Sequence, residues 1–374
     1  MKMPSSASLA GILALGAAAV SSAAPSAVQS EDGIPRTAAG RPDLSGTYDV
    51  STLTPLQRPR EFGENLYLTP EQADAIVEEE RQRVLDRERN RGPADEPPPP
   101  GGAPPIGIGD EFRESSGAGN VGGYNNFWTD RGSDVFMVDG KFRTSIIVDP
   151  ENGRHPPMTE EAIGRLSERS SLRRPNDGTA WWLGVLDHGP YDGPEDLGIA
   201  ERCILGFTGA APTYPSLYNN HKRIVQTEDH VMILIEMVHD ARIVRMESEH
   251  PPADRRFWLG DSIGWWEGDT LVVDTTNFHP LAGMRGGSES MHVIERFSRL
   301  EDGNLLYRFT VEDPTVWTEP WTGEYVWRTS DENVYEYACH EGNYAMEGIL
   351  RGARLLEAEA LERSVASGSS ADQE

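Results

Sequence analysis

The sequence predicts an all-β protein with peripheral helices, in which an antiparallel meander closes into a lipocalin-like barrel or a barrel-like sandwich. Three observations lead to this fold class. From about residue 134 to 342, apolar and polar residues alternate with a period of two, as they do in half-buried strands. Turn signals interrupt this alternation about every 8–12 residues. Helical stretches long enough for a parallel crossover are missing between these strands, so we expect no parallel sheet.

Four regions follow one another along the chain. Residues 1–27 are typical of a secretory signal peptide, because Lys2 precedes an apolar run and a series of small residues, with cleavage after Ala23 or Ala27. We therefore expect an exported protein, periplasmic or extracellular. The remaining regions are a lead-in at 28–133, the barrel domain at 134–342, and a closing helix with a disordered tail at 343–374.

Helices are expected only around the barrel. In the lead-in, "LTPEQADAIVEEERQRVLDRERNR" predicts a surface helix at 70–91, with Thr69 and Gln72 forming a capping box at its start. The Pro/Gly-rich stretch "GPADEPPPPGGAPPIGIG" predicts a long loop after it. A short helix is expected at 160–170, and the closing helix spans about 344–363.

The strands are expected as hairpins in chain order. Two strands are predicted in "DVFMVDGKFRTSIIVDPENGR" and three in "KRIVQTEDHVMILIEMVHDARIVRM". The stretch "WLGDSIGWWEGDTLVVDTT" gives a pair that turns at Glu267-Gly268-Asp269, and the next pair turns at Asp302-Gly303. The stretch "WTGEYVWRTSDENVYEYACHE" gives the last pair.

The hairpin that turns at Glu267-Gly268-Asp269 also contains a G-x-S-x-G pattern, which can mark a nucleophilic serine. A nucleophile elbow needs a strand, a sharp turn and then a helix. Ser262 instead lies in a stretch that runs straight into a hairpin. We therefore interpret Ser262 as a strand residue and not as a nucleophile.

The formal net charge of -27 limits the classes of partner. An acidic surface of this size repels nucleic-acid phosphates and anionic lipids. No stretch after the signal peptide is apolar enough to span a membrane, and no cysteine near the cleavage site offers a lipid anchor. We therefore expect a small-molecule ligand or substrate, no nucleic acid and no membrane anchor, while the oligomeric state stays open.

The chain contains two cysteines, Cys203 and Cys339. In an oxidising compartment they can form one disulfide, and two buried free thiols are the alternative. A C-x-x-C motif is absent from the sequence, which argues against thiol redox chemistry and a cysteine-rich zinc site.

Six motifs occur along the chain in a fixed order. They are "GRPDLSGTYD", "LTPEQA", "RIVQTEDHVMILIEMVHDARIV", "GDSIGWWEGDTLVVDTTNF", "HVIERFSRLEDGNLLYRFTVEDP" and "EYACHEGNY". Together they resemble the motifs of a large family of exported bacterial β-rich proteins. The resemblance covers nearly the whole mature chain and implies export and a β-rich fold. The family has no settled biochemical function, so the resemblance assigns no residue a catalytic role.

The turn at 302–303 predicts a polar group inside the barrel. If Leu300 pairs with Leu305, one inward face carries His292, Arg296, Tyr307 and Asp313. His292 then lies opposite Asp313, and a carboxylate raises the basicity of an imidazole to that of a general base. Arg296 would hold a developing oxyanion. A purely structural His–Asp pair is the alternative.

The same reasoning predicts further inward or rim residues. They are Trp321, Tyr325, Trp327 and His340 of the last hairpin, Arg242 of the preceding meander, and His239 in its turn. We interpret the aromatic residues and Arg242 as substrate-binding groups, and His340 and His239 as further acid–base candidates. The alternatives are plain core packing and an Arg242 that is held by a buried carboxylate.

These residues favour an exported enzyme that performs acid–base chemistry, of lyase, dehydratase or isomerase type, on a small, partly apolar molecule in the barrel. A non-catalytic lipocalin-like binding protein and a secreted hydrolase are the alternatives. No cofactor is expected, because phosphate-loop and dinucleotide motifs are absent from the sequence. No metal site is expected either, since residues three apart on a strand, such as His292 and Glu295, point to opposite faces.

Overall fold

The computed structural model describes residues 28–29, 33–89, 129–171, 177–282 and 287–371. The predicted signal peptide and the Pro/Gly-rich loop lie outside these ranges. Within them, the helices are α1 (Pro70–Arg89), α2 (Glu160–Ser171) and α3 (Tyr344–Ala371). Short 3-10 turns occur at Arg60–Phe62, Pro194–Asp196 and Met237–His239. None of the described helices is long and apolar enough to cross a membrane.

The start of α1 has the predicted capping box. The Gln72 backbone N–H donates to Thr69 Oγ1 at 3.3 Å, and the Thr69 N–H donates to Gln72 Oε1 at 2.8 Å. These bonds satisfy backbone donors that the first helical turn leaves open. At the other end of the chain, α3 continues to Ala371, so the described residues after 363 are helical and not the disordered tail that the sequence predicts.

Fourteen strands are described. They are β1 (Val28–Gln29), β2 (Pro35–Arg36), β3 (Gly46–Asp49), β4 (Met137–Val138), β5 (Lys141–Phe142), β6 (Ile147–Asp149), β7 (His221–Gln226), β8 (His230–Ile235), β9 (Ala241–Met246), β10 (Asp261–Glu267), β11 (Thr270–Thr276), β12 (His292–Arg299), β13 (Leu305–Glu312) and β14 (Trp321–Ser330).

Nine of these strands close into a barrel, which confirms the predicted fold class. Their order is β13–β12–β11–β10–β9–β8–β7–β3–β14, and β14 pairs again with β13 to complete the ring. The short strand β6 pairs with β14 as an addition. The barrel has therefore no free edge between β13 and β14.

One neighbour pair departs from the antiparallel meander. Strands β9 and β10 run parallel, with Val244 beside Ser262. The prediction of purely antiparallel pairing is wrong here, because residues 247–260 return the chain to the other end of the barrel without a helix. Ser262 itself lies in β10, and its hydroxyl is 2.8 Å from Thr275 Oγ1, which confirms its interpretation as a strand residue.

The barrel also takes its strands from other segments than expected. Strand β3 of the lead-in lies between β7 and β14, so the barrel is not confined to 134–342. Residues 331–343 form no strand, and β14 instead pairs with β13 along its first part and with β3 at its end. The predicted second strand of the last hairpin is therefore wrong.

The barrel interior is packed with aromatic side chains. The largest are Tyr48, Phe297, Tyr307, Phe309, Trp321, Tyr325 and Trp327, all at most 1% exposed. Gly323 of β14 lies directly beneath the Phe309 ring, where any Cβ would overlap the ring carbons. The interior therefore has the dense packing of a protein core.

Residues 203–215 fill the space that the strands leave inside. The Thr213 N–H donates to the Tyr307 hydroxyl at 3.0 Å, and the Tyr325 hydroxyl donates to the Thr213 carbonyl at 3.1 Å. The Tyr214 ring stacks on Trp321 with a centroid distance of 6.3 Å. This segment acts as a plug because it supplies both polar partners and apolar contacts to inward side chains.

A disulfide joins Cys203 at the start of the plug to Cys339, with a Cα–Cα distance of 5.7 Å. This resolves the two alternatives for the cysteines in favour of the bond. It links the plug to the segment just before α3, two parts of the chain that are 136 residues apart in sequence.

Candidate active site on the outer wall of the barrel

Arg242 lies inside the barrel, as predicted, and Glu295 is its partner there. Two bonds of 2.5 and 2.9 Å join the guanidinium and the carboxylate, whose side chains are 3% and 0% exposed. The Tyr307 hydroxyl donates a third bond to Glu295 at 2.7 Å. Arg242 is thus held by a buried carboxylate, and its charge is already compensated without a ligand.

The predicted substrate-binding aromatics also point inward. Tyr307 packs on Trp327 with a centroid distance of 4.8 Å, and on Tyr325 at 5.5 Å. Trp321 contacts Tyr214 of the plug. These side chains form a packed core together with the plug, and not the wall of an open cavity.

His292 does not face Asp313, because the register of β12 and β13 differs from the prediction by one residue. His292 pairs with Glu312 and Arg299 pairs with Leu305. Such a shift exchanges the two faces of a strand. Val293, Glu295 and Phe297 therefore point inward, and His292 lies on the outer wall.

The other predicted acid–base residues lie apart from His292. Asp313 accepts bonds from the Ser288 N–H at 2.6 Å and the Thr315 hydroxyl at 2.9 Å, so it fixes two loops. Arg296 is on the outer wall, where it binds Glu267 at 2.7 Å. His340 is exposed in a turn outside the barrel, and His239 is exposed in the rim turn where the sequence predicts it.

The structure brings a different set of residues to His292. We call it the outer-wall row, and it consists of Arg245, Asp261, His250, Asp274, His292 and Glu312. Carboxylates and bases alternate along this row. It lies at the end of the barrel where β10 and β12 begin and β11 and β13 end.

Asp274 is the centre of the outer-wall row. His292 Nε2 lies 2.9 Å from Asp274 Oδ1, within a hydrogen bond. His250 Nε2 lies 3.3 Å from the same oxygen, outside hydrogen-bond geometry, and this nitrogen is buried. Ile263 and Ile294 flank Asp274 on the neighbouring strands, which explains why the carboxylate is only partly exposed.

The second carboxylate, Asp261, anchors the far side of His250. His250 Nδ1 is 2.6 Å from Asp261 Oδ2, and Arg245 binds the same carboxylate at 2.8 Å. The Asn277 amide donates to the Pro251 carbonyl at 3.1 Å and so fixes the loop that carries His250. A carboxylate at Nδ1 sets the orientation of an imidazole, as it does in catalytic dyads.

At the exposed end of the row, His292 is the accessible base. Its side chain is 36% exposed, and its Nδ1 lies 3.5 Å from the carboxylate of Glu312, which is more exposed still. The bond to Asp274 raises the pKa of His292 above its ordinary value, against the effect of burial, and the charges of Asp274 and Glu312 add to it. Burial raises the pKa of Asp274, but the bond and charge of His292, together with the contribution of His250, outweigh burial and lower that pKa.

A second polar group lies inside the barrel, around Lys222. This lysine is fully buried, and its Nζ is 3.5 Å from Thr208 Oγ1 of the plug. Burial lowers the pKa of Lys222 to about 7, opposed by the charges of Glu236, Asp240 and Asp49. Burial likewise raises the pKa of Asp240 to about 6. The plug covers this group, so the accessible acid–base site is the outer-wall row.

Sequence reasoning identified His292 but missed His250, Asp261 and Asp274. The turn at Gly268-Asp269 fixes the register of β10 and β11, which would have placed Asp274 on an outward face. Outward polar residues are usually only solvated, so their position alone does not indicate a site. His250 lies in a loop and has no periodic signal.

The arrangement of the outer-wall row is suited to proton transfer. In the described part of the chain, no group of three or more His, Cys, Asp and Glu residues has the arrangement of a metal site. His292 and Glu295 lie on opposite faces of β12, as the strand geometry predicts. The chain matches no protein-family model, no curated protein and no solved structure, so the site is interpreted from its own geometry.

Proposed function

We propose that this protein is an acid–base enzyme of the lyase, dehydratase or isomerase type, with His292 on the outer wall of the barrel as its base. The observation that carries the proposal is the 2.9 Å bond between His292 Nε2 and Asp274 Oδ1, backed by His250 and Asp261. An accessible imidazole whose other nitrogen is held by a carboxylate has the orientation and the basicity of a general base.

The proposed chemistry assigns each nitrogen of His292 a role. Nε2–H donates to Asp274, so Nδ1 is the nitrogen that accepts a proton from a substrate C–H bond. The electron pair of that bond stays on the substrate. In an elimination it forms a double bond and the leaving group departs with the proton from Nδ1; in an isomerisation the proton returns to another carbon. Asp274 stabilises the imidazolium in between.

The charges near His292 support a neutral or cationic substrate. Glu312 is exposed beside Nδ1, and the whole chain carries a net charge of -27. Both repel an anion from the site. Ile294, the next outward residue of β12, offers apolar contact. The proposed substrate is therefore a small, partly apolar organic molecule without negative charge.

Export is part of the proposal. The disulfide between Cys203 and Cys339 supports it, because such bonds persist in oxidising compartments. We expect the native protein to begin near residue 24–28. Mass spectrometry that finds an intact Met1 in the native protein would contradict export with cleavage.

Deuterium incorporation tests the chemistry without a known substrate. The full chain is incubated in D2O with a mixture of neutral and cationic metabolites, and mass spectrometry detects compounds that gain deuterium or convert. A base that removes a carbon-bound proton exchanges it with solvent. We expect His292→Gln to reduce incorporation by about 10²–10⁴-fold.

His188→Gln is the matched control. His188 also contacts a carboxylate, Asp196 at 2.5 Å, but in the exposed segment before the plug. This variant should keep full incorporation. The proposal fails if the wild-type protein incorporates no deuterium, or if His292→Gln incorporates as much as the wild-type protein does.

A further inference from the structure

A groove separate from the outer-wall row lies between α1 and the segments 52–56 and 214–217. Its volume is about 370 Å³, at the lower end of the range of ligand pockets. The apolar part of its lining includes Leu53, Ile76, Tyr214 and Leu217. Helix α1 forms one wall, and residues next to the plug form the opposite wall.

Thr54 gives the groove an unsatisfied polar group. This residue lines the groove and is 3% exposed. Its hydroxyl oxygen is buried, and among the described residues it has no hydrogen-bond partner. A buried hydroxyl without a partner is unfavourable, and most such groups in proteins are paired. A molecule in the groove would supply the partner once rotation about the Cα–Cβ bond of Thr54 turns the hydroxyl toward the groove.

The charged residues of the groove argue for a neutral ligand. Helix α1 contributes Glu79, Glu80 and Arg83, and Arg131 lines the groove as well, so its two carboxylates and two guanidinium groups balance. Glu80 and Arg83 form an ion pair with each other, and Arg131 has a partner of its own. An anion would meet the carboxylates and the acidic charge of the whole chain. A cation would have to compete with Arg83 for Glu80. An apolar body with one hydrogen-bonding group fits the remaining surface.

We propose that this groove binds a small, neutral, largely apolar molecule with one hydroxyl, amine or carbonyl group that bonds to Thr54. Its apolar body packs between Ile76 of α1 and Leu217 on the opposite wall. The inference does not depend on the proposed enzyme activity, because it rests on other residues and another part of the molecule.

N-phenyl-1-naphthylamine is a suitable probe, because it is neutral and apolar, has a single N–H donor, and fluoresces strongly in apolar surroundings. Titration into the full-length protein should give a saturable rise in fluorescence. Ile76→Trp fills the groove from α1 and should abolish that rise. Ile163→Trp, on the exposed face of α2, is the control and should leave it unchanged.

Thr54→Val tests the polar contact. Valine has nearly the shape of threonine but no hydroxyl, so we expect binding of the probe to weaken about five- to tenfold. Binding of 1-phenylnaphthalene, which has no N–H group, should not weaken. The assignment of Thr54 would be overturned if Thr54→Val lost affinity equally for both molecules, or if it lost affinity for neither.

A thermal melt accompanies each variant. If Ile76→Trp melts at a lower temperature than the wild-type protein, Leu217→Trp fills the groove from the other wall and replaces it. No saturable fluorescence in the wild-type protein would overturn the proposal. The same holds if a folded, groove-filling variant binds the probe as tightly as the wild-type protein does.

Discussion

His292 Nε2 lies 2.9 Å from Asp274 Oδ1, on two neighbouring strands of the barrel wall. This contact links the accessible base to the less exposed middle of the outer-wall row, where His250 and Asp261 lie. It joins residues of β11 and β12 with a histidine from the loop between β9 and β10. The outer-wall row therefore depends on the barrel as a whole and not on one local motif.

The first prediction concerns the titration of His292. Because the bond to Asp274 raises the pKa of His292, Asp274→Asn should lower that pKa toward its ordinary value. NMR spectroscopy of the imidazole ring protons measures it directly. Glu267→Gln is the control, since Glu267 is on the same wall but binds Arg296. An unchanged pKa of His292 in Asp274→Asn would show that the contact does not form in solution.

The same shift predicts a direction for stability against pH. The pKa of His292 is higher in the folded than in the unfolded state, where it is about 6.5. Its contribution to stability is therefore complete below that pH and is lost as the pH rises through the folded-state value. The wild-type protein should therefore melt at a higher temperature than His292→Gln at about pH 5.5, and this difference should be smaller at about pH 9.

The second prediction concerns the buried pair of Arg242 and Glu295. Glu295→Leu leaves the Arg242 charge buried without a partner and should reduce the free energy of unfolding by about 3–5 kcal/mol. Arg242→Met combined with Glu295→Leu should cost much less than the sum of the single changes. Urea denaturation measures all three variants. Additive effects would contradict the pairing.

The exposed pair of Arg296 and Glu267 provides the control for that cycle. Its side chains are 42% and 48% exposed, so water screens the interaction. Arg296→Met should change the free energy of unfolding by about 0–1 kcal/mol. The contrast separates the effect of burial from the effect of losing any ion pair.

The sequence predicts the barrel and the inward position of Arg242, but it predicts the wrong face of β12. The reason lies in the turn at 302–303. The Leu300 N–H donates to the Asn304 carbonyl at 2.9 Å, so the loop contains residues 301–303, and Gly303 has a φ of 88°. The expected turn pairs Leu300 with Leu305, whereas this three-residue loop with its left-handed glycine pairs Arg299 with Leu305. The register therefore shifts by one residue, which exchanges the two faces of β12.

The partner of Arg242 was missed for the same reason. With the faces of β12 exchanged, Glu295 was expected in solvent, although it is fully buried against Arg242. The stretch "GRPDLSGTYDV" predicts one possible strand, but the place of β3 in the barrel could not be predicted from its four residues. The plug gives no periodic signal, because it has no regular structure. Local patterns predict elements, whereas these contacts depend on which distant segments meet.

The third prediction concerns Lys222 in the barrel interior. Burial lowers its pKa from 10.5 to about 7, so the folded protein carries an unfavourable charge below that pH. Lys222→Met should therefore stabilise the protein at pH 7 and below, by roughly 1–3 kcal/mol. Between pH 7 and 10.5, Lys222 binds more protons in the unfolded state than in the folded state. The wild-type protein therefore gains stability as the pH rises through this range.

Thermal melts over this range test the sign. The melting temperature of Lys222→Met should exceed that of the wild-type protein at pH 6, and the difference should shrink toward pH 10 (both values approximate). Lys141→Met, on the exposed strand β5, is the control and should show no such trend. A difference that grows with pH would contradict the buried position of the Lys222 ammonium group.

The fourth prediction concerns the disulfide of Cys203 and Cys339. Because the bond closes a loop between residues 136 apart, its removal should lower the free energy of unfolding by about 2–5 kcal/mol. Cys203→Ser combined with Cys339→Ser tests this in denaturation experiments. Thiol titration of the native, non-reduced protein should find no free thiol; two thiols would exclude the bond.

The fifth prediction separates positioning from catalysis in the outer-wall row. Asp261 contacts His250 Nδ1 at 2.6 Å but is three contacts away from His292, through His250 and Asp274, so it is a positioning residue. Asp261→Asn keeps the size of the side chain and removes its charge. We expect deuterium incorporation to fall by up to about 10²-fold, because the base becomes misplaced, with a smaller loss than for His292→Gln. The dependence of the rate on pH should move to lower pH, since a negative charge near the two histidines is lost.

Asp229→Asn, in the turn between β7 and β8, is the matched control and should leave both rate and pH profile unchanged. A rate and a pH profile of Asp261→Asn that equal those of the wild-type protein would mean that proton transfer at His292 does not depend on the rest of the row.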